Sequence, residues 1–97
     1  MRARKKFVVI AYDIVMNRRR NKVVKAVMKY GGRVNLSVFE CMLTDSQLAA
    51  LERELWTLID PKTDQVIIYP LCLDCYARIR YLPLKKEKNS GDSISIL

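Results

Sequence analysis

The chain has 97 residues, which is room for one small domain. Hydrophobic residues make up 51% of it, enough for a packed core and too many for a disordered polymer. Eighteen Lys and Arg against ten Asp and Glu leave a net charge of +8 with no histidine; this favours polyanions, nucleic acid or an anionic membrane surface, and excludes histidine acid–base chemistry.

The opening "MRARKKFVVIAYD" runs basic then apolar, like a signal peptide. Its apolar stretch is short, ends at Asp13 and lacks a small-residue cleavage pattern. A cytoplasmic protein that opens on a strand is therefore expected. No segment has the roughly 20 apolar residues a bilayer span needs. β-Branched and aromatic residues predict a strand over 6–12. Phe7, Val9 and Ala11 point one way and Val8, Ile10 and Tyr12 the other, so both faces are expected to be covered.

"NRRRNKVVKAVMKYGG" predicts a helix over 19–30, with Asn17 as its cap and Gly31 as a left-handed stop. Val23, Val24, Val27 and Met28 fall on one helical stripe, and Lys25 and Lys29 suit the C-terminal end of the dipole. "RVNLSVFECML", residues 33–43, is long for one strand and reads either as one bent strand or as two strands with a tight polar turn near 35–37, the hairpin being favoured. Thr44 and Gln47 form a capping box ahead of Leu48, Leu51, Leu55 and Leu58, and Asp60-Pro61 stops that helix. Gln65–Leu71 reads as a strand that is apolar on both faces. "LDCYARIRYLPL" offers a further alternating strand, with Ile79, Tyr81 and Leu82 packing and Arg78 and Arg80 outward. Residues 85–97 form a polar tail expected to be mobile, although Ile94, Ile96 and Leu97 suit a sheet edge.

The order is β-α-β-β-α-β plus a C-terminal strand: an α+β, ferredoxin-like βαββαβ domain over residues 1–84. In that architecture both helices cover one sheet face. Strands apolar on both faces then require something to cover the other, and a second copy is the simplest candidate, giving a homodimer.

Asp13, at the end of the first strand, reads either as a turn former or as a ligand for a hard cation. One carboxylate is a poor site, but two related by a dimer axis suit Mg²⁺, with the metal replacing histidine in water activation. Arg18, Arg19, Arg20 and Lys22 open a helix where cations oppose the dipole, which favours phosphate contact over a solvated face. Arg33, Arg78, Arg80, Lys85 and Lys86 could extend that footprint. Cys72-x-x-Cys75 is half a zinc motif; ordinary buried or half-buried thiols are expected there and at Cys41. The odd cysteine count argues against a secreted disulfide framework.

"YDI" at a strand end, "RRRNKV" opening a helix, "YGGRVNLSVFEC" and "DQVIIYPLC" together resemble the small CRISPR-associated Cas2 family over about residues 6–75. "SVFE" following "YGGRV" is the most telling part. The resemblance implies a ferredoxin-like homodimer whose C-terminal strand packs onto the partner. It implies a metal-dependent endonuclease of single-stranded RNA or double-stranded DNA, acting in acquisition of new spacers for antiviral defence. It also implies a bridge for the CRISPR integrase; a non-catalytic bridge is the alternative reading. On the family pattern Asp13 is the catalytic aspartate and the Mg²⁺ ligand, shared between two protomers. Tyr12, Arg18, Arg20, Lys22, Arg33 and Phe39 fall on nucleic-acid-binding positions. Family members often carry further acidic residues after "YDI"; here those positions are Val15, Met16 and Asn17.

Overall fold

The computed structural model describes residues 4–83. Its elements are β1 (Lys6–Asp13), α1 (Asn17–Val27), β2 (Gly31–Asn35), β3 (Val38–Leu43), α2 (Asp45–Leu58), β4 (Gln65–Leu71) and α3 (Leu73–Ala77). The four strands form one antiparallel sheet in the order β2-β3-β1-β4. That is the expected split βαβ arrangement, with β1 bonded on both edges.

Alternation on β1 separates two environments. Val8, Ile10 and Tyr12 join Phe39, Cys41 and Leu43 of β3 beneath Val23, Ala26 and Val27 of α1 and Leu51 and Leu55 of α2, forming the core. Both helices thus lie on one face. On the opposite face Phe7 sits between Met42 and Leu71, Val9 between Glu40 and Tyr69, and Ala11 between Val38 and Ile67. There Ile67 and Tyr69 remain 37% and 49% exposed, so the second face is covered only in part. Phe7 is buried beneath Tyr76, with ring centroids 4.4 Å apart.

α2 begins as its sequence predicts: Thr44 accepts from the Gln47 N–H, and the Gln47 side chain accepts from the Thr44 N–H. α1 begins differently. Met16 is its N-cap and contributes no side-chain bond, while Asn17 lies inside the first turn and accepts from Arg20. On its stripe Ala26 is buried and Met28 is exposed, because the helix ends at Val27. Lys29, just beyond, pairs with Glu54 of α2 at 3.3 Å.

Gly31 is no helix stop but the first residue of β2. A Cβ there would lie 2.0 Å from the Glu40 carbonyl oxygen and 2.6 Å from Cys41 Cα, so the close β2–β3 approach requires glycine. The hairpin turns where expected, and Asn35 Oδ1 accepts from the Ser37 N–H in an Asx turn.

Of the stretch expected to hold a strand after β4, Leu73–Ala77 forms a short helix, α3. Cys72 supplies a side-chain cap and Asp74 an acid in the first turn, local chemistry that outweighs apolar alternation. Residues 78–83 form no strand within the chain. Tyr81 donates to Glu40 on the open face, burial and that bond raising its pKa, while Arg78 and Arg80 are exposed as expected. The polar tail, Lys85, Lys86, Ile94, Ile96 and Leu97 lie outside the described residues. No helix among the described residues is long and apolar enough to cross a membrane.

Asp64, the buried charged residue among those described, ties the fold together from the loop before β4. It accepts from Arg19 Nε at 2.7 Å, the Asp60 N–H at 2.9 Å and the Thr63 hydroxyl at 3.1 Å. These donors, Arg19 first, hold its carboxyl down from the usual 3.8 to about 2. A depressed carboxyl stabilises the fold above its unfolded pKa and loses that contribution as pH falls through the folded value. Stability is therefore expected to fall between about pH 4 and pH 2, and Asp64→Asn to flatten that acid limb in denaturant titrations. Separately, Gly31→Ala should cost about 1–3 kcal/mol by overpacking. Gly32→Ala, whose Cβ meets nothing within 4 Å, should stay within about 0.5 kcal/mol, both read from urea midpoints.

Candidate nucleic-acid interface

Strand alternation decides what Tyr12 and Asp13 do. Tyr12 turns inward and is buried. Its ring lies 6.1 Å from that of Phe39, and its hydroxyl donates to the Leu36 carbonyl at 2.6 Å. The Tyr12 N–H also donates to the Ser37 carbonyl at 3.0 Å. These two bonds hold the tip of the β2–β3 hairpin against the end of β1. Asp13 takes the opposite side, by register with Gln65, and is exposed. Its carboxylate makes no hydrogen bond or ion pair among the described residues.

An open cleft of about 720 Å³ forms where the end of β1, the start of α1 and the hairpin tip meet; Tyr12, Asp13, Arg20, Arg33 and Ser37 are among its lining residues. The structure thus brings Asp13, Arg20 and Arg33 to one place. The regular β2–β3 register puts Arg33 opposite Phe39, and a bulge between Arg33 and Asn35 follows it. The Arg33 guanidinium carbon sits 5.5 Å above the centre of the Phe39 ring, a cation–π contact.

The expected basic cluster divides by role. Arg18 and Lys22 are exposed and make no hydrogen bond or ion pair among the described residues. Arg20 donates to the Ile14 carbonyl at 2.7 Å and to Asn17 Oδ1, which fixes its guanidinium across the β1–α1 connection. Arg19 turns away into the pair with Asp64, with about a quarter of its side chain left exposed. The first turn of α1 holds no acidic residue and no side-chain cap, a setting that favours an anion.

Two expected contact residues, Tyr12 and Phe39, are buried in the chain described. Phe39 is 0% exposed and cannot meet a base; it supports Arg33 from beneath. Tyr12 likewise positions the hairpin tip rather than presenting its ring. Arg78 pairs with Asp74 at 3.3 Å, on the segment after β4 and away from the cleft-lining residues. Sequence reasoning missed Ser37 and Leu36 as the hairpin groups that close the cleft; the Asx turn at Asn35 was the available signal.

For a hard cation the chain offers little by itself. Among the described residues no group of three His, Cys, Asp or Glu could hold a metal. Asp13 is the carboxylate lining the cleft. Mg²⁺ is commonly held by one or two carboxylates with water and substrate phosphate, so Asp13 fits as part of a site and needs a second oxygen donor. The cysteines at 72 and 75 are exposed rather than buried, without further ligands among the described residues.

The family model described as CRISPR associated protein Cas2 matches residues 6–79. A CRISPR-associated endoribonuclease Cas2 of Rhodospirillum rubrum is 46% identical over 82% of this chain, a match spanning 64% of that relative's length. A CRISPR-associated endonuclease Cas2 of Halalkalibacterium halodurans is 37% identical over 90% of this chain and 96% of its own. The crystal structure of Streptococcus pyogenes Cas2 superposes with a TM-score of 0.71 at 31% identity, covering 77% of this chain and 96% of that one. A chain of a partial Cas6-RT-Cas1–Cas2 complex gives 0.68 at 25% identity, over 80% and 91%. With three quarters of its length under the family model and its fold shared with solved members, the chain belongs to the CRISPR-associated Cas2 family.

Proposed function

We propose that the chain works as a cytoplasmic homodimer that binds nucleic acid and cleaves its phosphodiester backbone with Mg²⁺ held between the Asp13 carboxylates of two copies. It would be a CRISPR-associated endonuclease of single-stranded RNA or double-stranded DNA, serving spacer acquisition. The observation that carries this reading is the state of Asp13. In a chain with eighteen cationic side chains, this carboxylate stays exposed and without an ion pair among the described residues, on the rim of a cleft that also holds Arg20 and Arg33.

The partly bare sheet face supports the dimer. Val9 and Ala11 are only half-buried there, and Ile67 and Tyr69 are more open still. Asp13 shares that face by register. A twofold pairing through it would put both carboxylates on the joined side, where like charges need a cation between them. Bound Mg²⁺ would supply the water activation and charge neutralisation that a chain without histidine lacks. The chain's own residues would do the rest. Arg18, Lys22 and the first amides of α1 would take phosphate oxygens. Arg20, anchored on Ile14, and Arg33, set by Phe39, would hold the backbone over Asp13.

A second reading is a non-catalytic dimeric bridge for the CRISPR integrase. It is favoured by the likeness to a chain of a Cas1–Cas2 assembly and by the side chains after Ile14, where Val15, Met16 and Asn17 add no carboxylate. Both readings use the same basic surface, so cleavage decides between them.

Under the endonuclease reading, RNA or duplex DNA is cut in Mg²⁺ and not in EDTA. Asp13→Ala should lower the rate by at least on the order of 100-fold while leaving affinity in a filter-binding assay intact. Absence of cutting by the wild type across pH and divalent ions would establish the bridge. Lys22→Ala should weaken binding to all sequences alike and reduce the slope of log affinity against log salt by about 1.

A further inference from the structure

The cysteine pair after β4 has no part in the chemistry above. Cys72 is the N-cap of α3 and Cys75 lies in its first turn; both are exposed, whereas Cys41 is buried. The Cys75 N–H donates to Cys72 Sγ at 3.3 Å, so the Cys72 side chain already folds back over the turn toward its neighbour. Residues three apart on a helical turn have Cα atoms about 5 Å apart, inside the ~4.4–6.8 Å range a disulfide requires. The thiols are also unequal. Cys72 is pulled below its ordinary pKa, chiefly by the Cys75 N–H, and Cys75 is pushed up, chiefly by its hydrogen bond to Cys72. One is suited to attack and the other to resolve. Burial pushes Cys41 up to about 11, which keeps it out of exchange.

From this geometry we propose that Cys72 and Cys75 form a reversible dithiol–disulfide pair, closed by low-molecular-weight disulfides. The Cys72 thiolate attacks one sulfur of the small disulfide, breaks its S–S bond and expels one small thiolate. The Cys75 thiol gives up its proton and attacks Cys72 Sγ in the mixed disulfide, expelling the second small thiolate. The two protons lost by the cysteines leave both products as thiols. The protein pair loses two electrons and the small disulfide gains them. The bond would form where the chain leaves β4 and starts across the open sheet face. There Tyr76, beside Cys75, stacks on Phe7, and Tyr81 bonds Glu40.

The test uses the full chain, reduced and then equilibrated in buffers of reduced and oxidised glutathione, read by intact mass and thiol titration. Two of the three thiols should disappear, the mass should drop by about 2 Da, and peptide mapping should join Cys72 to Cys75. Excess reduced glutathione should reverse the change. Cys75→Ser should stop at a glutathione adduct on Cys72. The proposal is overturned if three thiols survive in excess oxidised glutathione, or if the wild type halts at a stable adduct. A disulfide between two copies overturns it as well, as does zinc held by two copies that shields both thiols.

Discussion

β1 is bonded along both edges, to β3 and to β4. A strand held on two sides cannot roll or slip, so every side chain on it has a fixed direction. The consequence is sharpest at its end. Tyr12 goes into the core and anchors the hairpin tip, and Asp13, one residue on, goes to water. A one-residue change of register would bury the carboxylate and expose the tyrosine, which costs far more than any loop rearrangement can recover. The cleft exists because β1 ends with one residue of each kind, with the hairpin and α1 meeting around them.

The charge on α1 is managed by splitting it. Four cations at or near the first turn of a helix oppose its dipole. One of them, Arg19, is drawn into a shielded pair with Asp64, which also closes the loop ahead of β4. That pair links the first third of the sequence to the last strand and spends a carboxylate on structure. Arg20 is held by a backbone carbonyl, which leaves its charge uncompensated while fixing its place. Arg18 and Lys22 keep both freedom and charge. The same run of residues thus holds the fold at one position, is anchored at another and stays exposed at two more, where the proposed function would use it for affinity. Under the proposed function, a like-charge helix start would be tolerable because its free cations would meet phosphate.

Local signals were legible in the sequence. The Thr44–Gln47 box, the leucine stripe of α2, the hairpin and the two apolar strands depend on neighbours a few residues away. The element order then follows from right-handed, short connections. What stayed hidden depends on distant residues. Arg19 and Asp64 are 45 positions apart, and nothing in "RRRNK" marks which arginine turns inward. Gly31 reads as a helix stop because a glycine after a helix usually is one; its real constraint is the Glu40 carbonyl across the hairpin. Phe39 reads as a contact residue by family position, yet it lies beneath Arg33 in the core. The segment after β4 alternates like a strand, but a cysteine cap and Asp74 start a helix there first. Of the candidate site, Asp13 was visible as a lone acid at a strand end, and Tyr12 as its neighbour. That Tyr12 sets the cleft wall was not, since Leu36 is 24 residues away.

The exposed apolar surface around Asp13 bears on how a single carboxylate could suffice. Val15 and Met16 lie open on the loop that follows it, and Ile67 and Tyr69 on the sheet face beside it. A monomer gains nothing from these groups in water, and the charged residues that would normally replace them are absent. In the proposed dimer they would be the surface whose burial drives association at roughly 25 cal/mol per Å², and that same association would bring the second carboxylate. Positions 15 and 16 would then serve cohesion instead of ligation. Assembly and metal affinity would be linked in this chain: Mg²⁺ that bridges two copies stabilises the dimer by mass action, and dilution into monomer dissolves the site.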